Sequence, residues 1–375
     1  MKKDLQQVTS IPTPISTNQS DCLLNELLTQ IVSITVRDLA WVIASCDLMS
    51  RVERALDTQD WTQSFKHELN LVTLCPKKAL EQARPHLLEL DQTPDRLDQA
   101  LSFYAKQHKR VRLGVYYEHL VYYWLEHILK AVTLHREIQL YRQVNGIKQT
   151  LGALDIVATL DVKMLAALGV NQSTQVQKMQ SLSIHFELAS KFYLQVPKTE
   201  AHQALDDSLP DTYYQYIGPN ERDSFGGKLH RLFHHQLPLS QSKEALERFQ
   251  LNDIKVDARC LFIKGRMFQH ISEYSSLNYN LTALWLRHHE IPLLFTLFNE
   301  KEISIKAFLC NKPSWLAPPS CEVMCQANAI NDEELLKQAQ MAKGERGSTL
   351  WFMHSAQQDR CAWFMLVADD WGQRG

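Results

Sequence analysis

Asp155 and Glu187 each interrupt a run that is otherwise apolar, LGALDIVATL at 151–160 and LSIHFELASKFYL at 182–194. Both runs follow a period of two and are rich in β-branched or aromatic residues, which predicts strands. An unpaired carboxylate costs several kcal/mol to desolvate, so each acid needs a cation, several hydrogen bonds or a raised pKa. Alternation along the second strand puts His185, Glu187, Ala189 and Lys191 on one face and Ile184, Phe186, Leu188 and Phe192 on the other. Two carboxylates on neighbouring strands with a lysine beside them suit a Mg²⁺ or Mn²⁺ ion that activates water against a phosphodiester. The lysine would orient that water or stabilise developing charge. A third acid, Glu118, lies inside LGVYYEHLVYYWLEHILKAV at 113–132, which reads as a helix apolar nearly all round and therefore buried. The competing reading places Asp155 at a strand end and pairs Glu187 with Lys191 or an arginine. Three buried acids exceed what one such pair satisfies.

The elements that must hold these residues follow from the same patterning. Asp21 is an expected N-cap ahead of Leu23, Leu24, Leu27, Leu28 and Ile31, and PDRLDQALSFYAKQ opens on proline and puts Leu97, Leu101 and Tyr104 on one face. Helices are expected through residue 104. Beyond the central strands, GPN at 218–220 precedes a helix carrying Leu229, Leu232, Phe233 and Leu237. RCLFIKGRMF, EISIKAFL, TLWFMHS and RCAWFMLVA read as strands, with a helix at NDEELLKQAQMA. The fold class is α+β, divided into a helical region 1–104, a core 105–270 and a mixed α/β region 271–375.

Composition narrows the function. Forty basic against 42 acidic residues leave a net charge of -2, so polyanion binding needs a local patch. Twelve glycines in 375 residues disfavour turn-rich architectures and glycine phosphate loops. Eight scattered cysteines read as thiols in a reducing compartment. Residues 1–20 lack an apolar signal core and no stretch approaches 18 apolar residues, so a cytoplasmic protein with no membrane segment is expected. His230 and His234 lack the glutamate of a zinc HExxH motif, and Cys321 and Cys325 lack a second pair. GxGxxG and GxSxG do not occur.

Nucleic acid is the expected partner. Residues 101–150 hold eight lysines and arginines against three glutamates. The segment after GPN adds Arg222, Lys228, Arg231 and His235. On a helix Lys228, Arg231 and His235 share a face, expected to be exposed and to contact phosphates, opposite Leu229, Leu232 and Phe233.

LGALDIVA, HFELASK and the glutamate of GVYYEHL together resemble the PD-(D/E)XK nuclease superfamily, whose core runs helix, strand, strand, helix, strand. VRDLAWVIASCDLM, LGVYYE, LGALD, HFELASKFYL, IGPNERDSFGGKL and WLAPP resemble the bacterial family called domain of unknown function 1853. The resemblance implies a restriction-endonuclease-like core with Asp155 and Glu187 as metal carboxylates, Lys191 as the motif lysine and Glu118 as an accessory acid. The superfamily lysine usually stands two residues after the acid, where this chain has Ala189, and Ala153 occupies a position that often holds a further ligand. The alternative is therefore an inactive nuclease-like module that binds nucleic acid or a protein partner.

Overall fold

In a computed structural model of the chain, the described residues are 19–50, 68–105, 112–170, 179–205, 208–273, 283–298, 305–342, 348–355 and 360–372. Four helices come first: α1 (Gln19–Gln30), α2 (Ile34–Ala44), α3 (Pro76–Gln92) and α4 (Asp95–Ala105). The first begins two residues before the expected Asp21 cap. Ser33 starts α2 by accepting the Val36 N–H, Pro76 occupies the first turn of α3, and Asp95 and Asp98 open α4. Helix α5 (Leu113–Tyr123) continues through a π-turn at Trp124–Ile128 and leads into the sheet.

Nine strands form one mixed sheet among the described residues. They are β1 (Thr133–Val144), β2 (Ile147–Asp161), β3 (Ser181–Gln195), β4 (Tyr216–Ile217), β5 (Ala258–His270), β6 (Ala283–Arg287), β7 (Ile305–Cys310), β8 (Thr349–Ser355) and β9 (Arg360–Val367). The order is β1-β2-β3-β5-β6-β9-β8-β7, with β4 paired to β3. β1, β2 and β3 are antiparallel neighbours, whereas β3, β5, β6 and β9 run parallel. The β3-to-β5 crossover carries α7 (Phe225–Arg231, prolonged by a π-turn at Leu232–Gln236) and α8 (Lys243–Asn252), after the short α6 (Val162–Ala167) that follows β2. Parallel neighbours require such a crossover. The C-terminal part adds α9 (Ile291–Phe298), α10 (Cys321–Gln326) and α11 (Asp332–Met341).

The chain is thus α+β. Three strands escape the sequence patterning, β1, β4 and β6, so the central order is α5, β1, β2, α6, β3, β4, α7, α8, β5. Residues on both sides of position 270 contribute strands to the same sheet. One face of β3 and β5 packs Ile184, Phe186, Leu188 and Phe262 against the N-terminal helices and α5, while the other packs Ala189, Tyr193 and Ile263 against α7.

Buried cations tie the layers together. Arg37 of α2 donates to the carbonyls of Leu28, Ile31, Pro318 and Pro319, and Arg266 of β5 donates to those of Trp315 and Leu316. The Arg266 guanidinium also lies 3.9 Å from the Trp363 ring centre. Between them Asp38 accepts from Tyr116 Oη at 2.9 Å and the Ala317 N–H at 2.8 Å. Burial pushes its pKa up to about 7 against the pull of those bonds and both arginines. The VRDLAW and WLAPP segments are therefore two halves of one clamp.

Replacing Arg266 by Met strands two carbonyls and Asp38 in a dry site, and a loss of about 3 kcal/mol in urea unfolding is expected. Arg84→Ala breaks a 3.3 Å pair with Glu26 at the surface and should cost less than about 1 kcal/mol. Equal losses from the two would show that the clamp contributes nothing special.

Candidate functional site

The β2–β3 ladder runs from Asp161–Ser181 to Ile156–Phe186 and stops. One position further its register sets Asp155 opposite Glu187, and there the Leu188 N–H donates to Asp155 Oδ2 at 2.8 Å. A side chain thus satisfies an amide where the strands part. On the other side of β2, β1 skips a pairing between Arg136 and Ile138, and Glu137 holds φ 46, an uncommon left-handed value for a residue with a long side chain.

Glu187 is buried, 1% exposed, and neither carboxylate oxygen has a hydrogen-bond partner. Burial pushes its pKa up to about 7, opposed by Lys228 and by the Gln236 amide, which lies close without hydrogen-bond geometry. Asp155, half-buried, is raised to about 7 by burial and then by the Glu187 charge, while the Leu188 N–H, His185 and Lys228 oppose. Glu118 of α5 is likewise raised to about 7 by burial, then by Asp155, Glu137 and Glu187, with Arg136 opposing. The charge of Glu187 thus raises both other acids singled out in the sequence, and Glu137, outside that set, raises Glu118.

His185 Nε2 lies 3.7 Å from Glu187 Oε2, and burial lowers its pKa to about 4, so the imidazole is neutral near pH 7. Lys191 does not meet Glu187. Its Nζ pairs with Asp223 Oδ2 at 2.6 Å, which ties β3 to the GPN loop. The cation beside the acids is instead Lys228 of α7, half-buried, with Nζ donating to Gln236 Oε1 at 3.0 Å. Burial lowers its pKa, which the charges of Glu187 and Asp155 oppose. Lys228 thus departs from the expected exposed face, while Arg222, Arg231 and His235 are exposed. Ala153 is half-buried opposite Gln139.

This arrangement can exchange protons near neutral pH and can accept a cation. Among the described residues no three His, Cys, Asp or Glu side chains gather as a metal cage. Mg²⁺ commonly uses only one or two carboxylates and completes its shell with water and phosphate oxygens. Asp155 and Glu187 are the two carboxylates that the end of the ladder sets opposite one another, Glu187 with both oxygens out of contact with solvent. No helix of the described residues is long and apolar enough to cross a membrane.

A family model described as a domain of unknown function, DUF1853, matches residues 37–168 and 174–364. No curated protein and no solved structure matches the chain.

The raised acids set a pH dependence. An acid at 4.5 unfolded and about 7 folded holds its proton more tightly in the native state, so its stabilising contribution is full below 4.5 and is lost as pH rises through 7. Glu187→Gln is expected to remove on the order of 3 kcal/mol of that slope, leaving the variant more stable than the parent at pH 8 and little changed at pH 4. Urea unfolding at a series of pH values checks this. Parallel profiles with a less stable variant at pH 8 would mean that Lys228 keeps Glu187 charged.

Proposed function

The chain belongs to the DUF1853 family, and from the geometry of its site we propose a Mg²⁺- or Mn²⁺-dependent nuclease that hydrolyses phosphodiester bonds of DNA or RNA. The observation that carries this reading is the convergence of Asp155, Glu187 and the half-buried Lys228 where β2 parts from β3. The run from α5 to β5 around it contains the helix, strand, strand, helix, strand order that the PD-(D/E)XK resemblance implies, with β1, α6, β4 and α8 beyond it.

Asp155 and Glu187 would hold the ion, giving up their protons as it binds. A bound Mg²⁺ or Mn²⁺ supplies an acidified water and charge neutralisation at the phosphate. Lys228, rather than Lys191, would donate to the phosphoryl oxygens as negative charge builds on them. Its lowered pKa reflects a dry setting in which that contact is stronger than in water. Glu118, whose carboxyl is raised by the charges of Asp155 and Glu187, would orient solvent around them. Arg222, Arg231 and His235 lie on the surface after β4 and can contact the phosphate backbone. The thiols and their scatter suit a cytoplasmic setting.

A second reading has its own observation. Both Glu187 oxygens are out of contact with solvent, and Ala153 offers no further ligand, which suits an inactive module that binds nucleic acid or a protein partner.

Incubating the full chain with supercoiled DNA, linear DNA and RNA plus Mn²⁺ separates the two. The nuclease reading expects cleavage that Asp155→Asn abolishes and Lys228→Gln lowers by about 10²-fold, with Lys191→Gln within a few-fold of the parent. Mn²⁺ at ~100 times its dissociation constant should stabilise the parent by about 2.7 kcal/mol and the Asp155→Asn variant much less. Absence of both cleavage and metal stabilisation would overturn the nuclease reading in favour of the inactive module.

A further inference from the structure

The hairpin of β1 and β2 extends past the point where β3 leaves it. Its base is supported on one side, where Ile138, Leu140 and Leu154 pack with Leu239, just before α8, and with Ala245 and Phe249 of α8. Its end, residues 141–150, is exposed on both faces. Asn145 at φ 51 and Gly146 at φ 78 close it in the two-residue turn that matches strand twist. From Asp155 to that turn the ribbon spans about 30 Å at ~3.3 Å per residue.

The composition of this arm is one-sided. Residues 138–154 contain Arg142 and Lys148 and no acid, where the chain's average of 42 acids in 375 residues would give about two. On one face Lys148 Nζ sits 3.7 Å above the Tyr141 ring. On the other, Arg142 Nε donates to Gln149 Oε1 at 2.8 Å, and beyond that pair Val144 stands opposite Ile147 at the tip. Those two are 41% and 72% exposed, an unusual cross-strand apolar pair to leave in water.

We propose that residues 141–150 form an arm that enters a groove of B-form duplex DNA, which makes such DNA the substrate class of the site at the arm's base. This inference rests on reading that site as one that acts on nucleic acid. A two-stranded ribbon fits the major groove, and cations with amide side chains are the groups that contact phosphates and base edges. An apolar pair at the tip can contact the methyl groups that thymine presents in that groove. A-form RNA, whose major groove is deep and narrow, offers the ribbon no such entry. Because β2 carries both Asp155 and the arm, duplex held by the arm is presented to the acids without any intervening hinge.

The test is binding of the full chain to a labelled 30-base-pair DNA duplex, the matching single strand and the matching RNA duplex across a salt series. The variants are Arg142→Gln with Lys148→Gln, and Val144→Ser with Ile147→Ser, each checked for parental thermal stability, as exposed positions should allow. The charge variant is expected to bind duplex DNA roughly one to two orders of magnitude more weakly at 0.1 M salt, with its salt slope reduced by about 1.8. The tip variant should weaken duplex binding while keeping the parental slope. Parental affinity and slope in both variants, with cleavage intact, would overturn the arm alone. Equal losses on single strand or RNA duplex would overturn the assignment to B-form DNA. A parent that binds none of the three probes would instead overturn the reading of the site on which the arm depends.

Discussion

Desolvation of Glu187 is the constraint around which the site is arranged. A carboxylate with both oxygens out of water cannot stay charged without help, and the help comes from across the layer, from Lys228 of α7. The same burial that raises the acid lowers the lysine, so each partner's protonation depends on the other. Asp155 adds a second acid where the ladder stops, and its own rise depends in part on Glu187.

Such a site needs walls that do not give. The layers of the fold are tied by buried cations that cap backbone carbonyls: Arg37 and Arg266 join α2 and β5 to residues 315–319, and Lys264 of β5 donates to the Ser45 carbonyl. Asp47 beside it accepts the Met49 and Ile263 N–H groups. Close packing of β3 on β5 adds to this. A side chain at Gly265 would bring its Cβ 1.6 Å from the Lys191 carbonyl oxygen, so only glycine fits there. Helix α5, which carries Glu118, is docked by Tyr117 donating to the Phe262 carbonyl at 2.8 Å. The acid cluster therefore sits between two layers that are each bonded to the same strands.

Asp155, Glu187 and Glu118 are legible in the sequence because an acid inside an apolar run stands out against its neighbours. The role of Lys228 is not, since i, i+3 spacing puts it with Arg231 on a helix face and cannot say which face meets the sheet; in the structure the first is half-buried and the second exposed. Lys191 illustrates the opposite error. Sharing a strand face with Glu187 leaves it about 13 Å further along, and a nearer partner, Asp223, takes it. β1 escapes because its outer half is exposed on both faces, so no alternation of burial is imposed on its residues. β6 escapes because five residues make too short a run to show a period. Glu137 carries no local signal at all, since its place in the cluster comes from a backbone irregularity.

Asp155 and Glu187 are proposed to titrate together and to bind a divalent cation. Carboxyl-carbon NMR titration of the full chain, with resonances assigned through Asp155→Asn and Glu187→Gln, measures it directly. Both groups are expected to titrate near 7 without added metal and to shift well toward acid when Mg²⁺ is present, as the ion displaces their protons. Titration near 4 for both, unmoved by Mg²⁺, would contradict it.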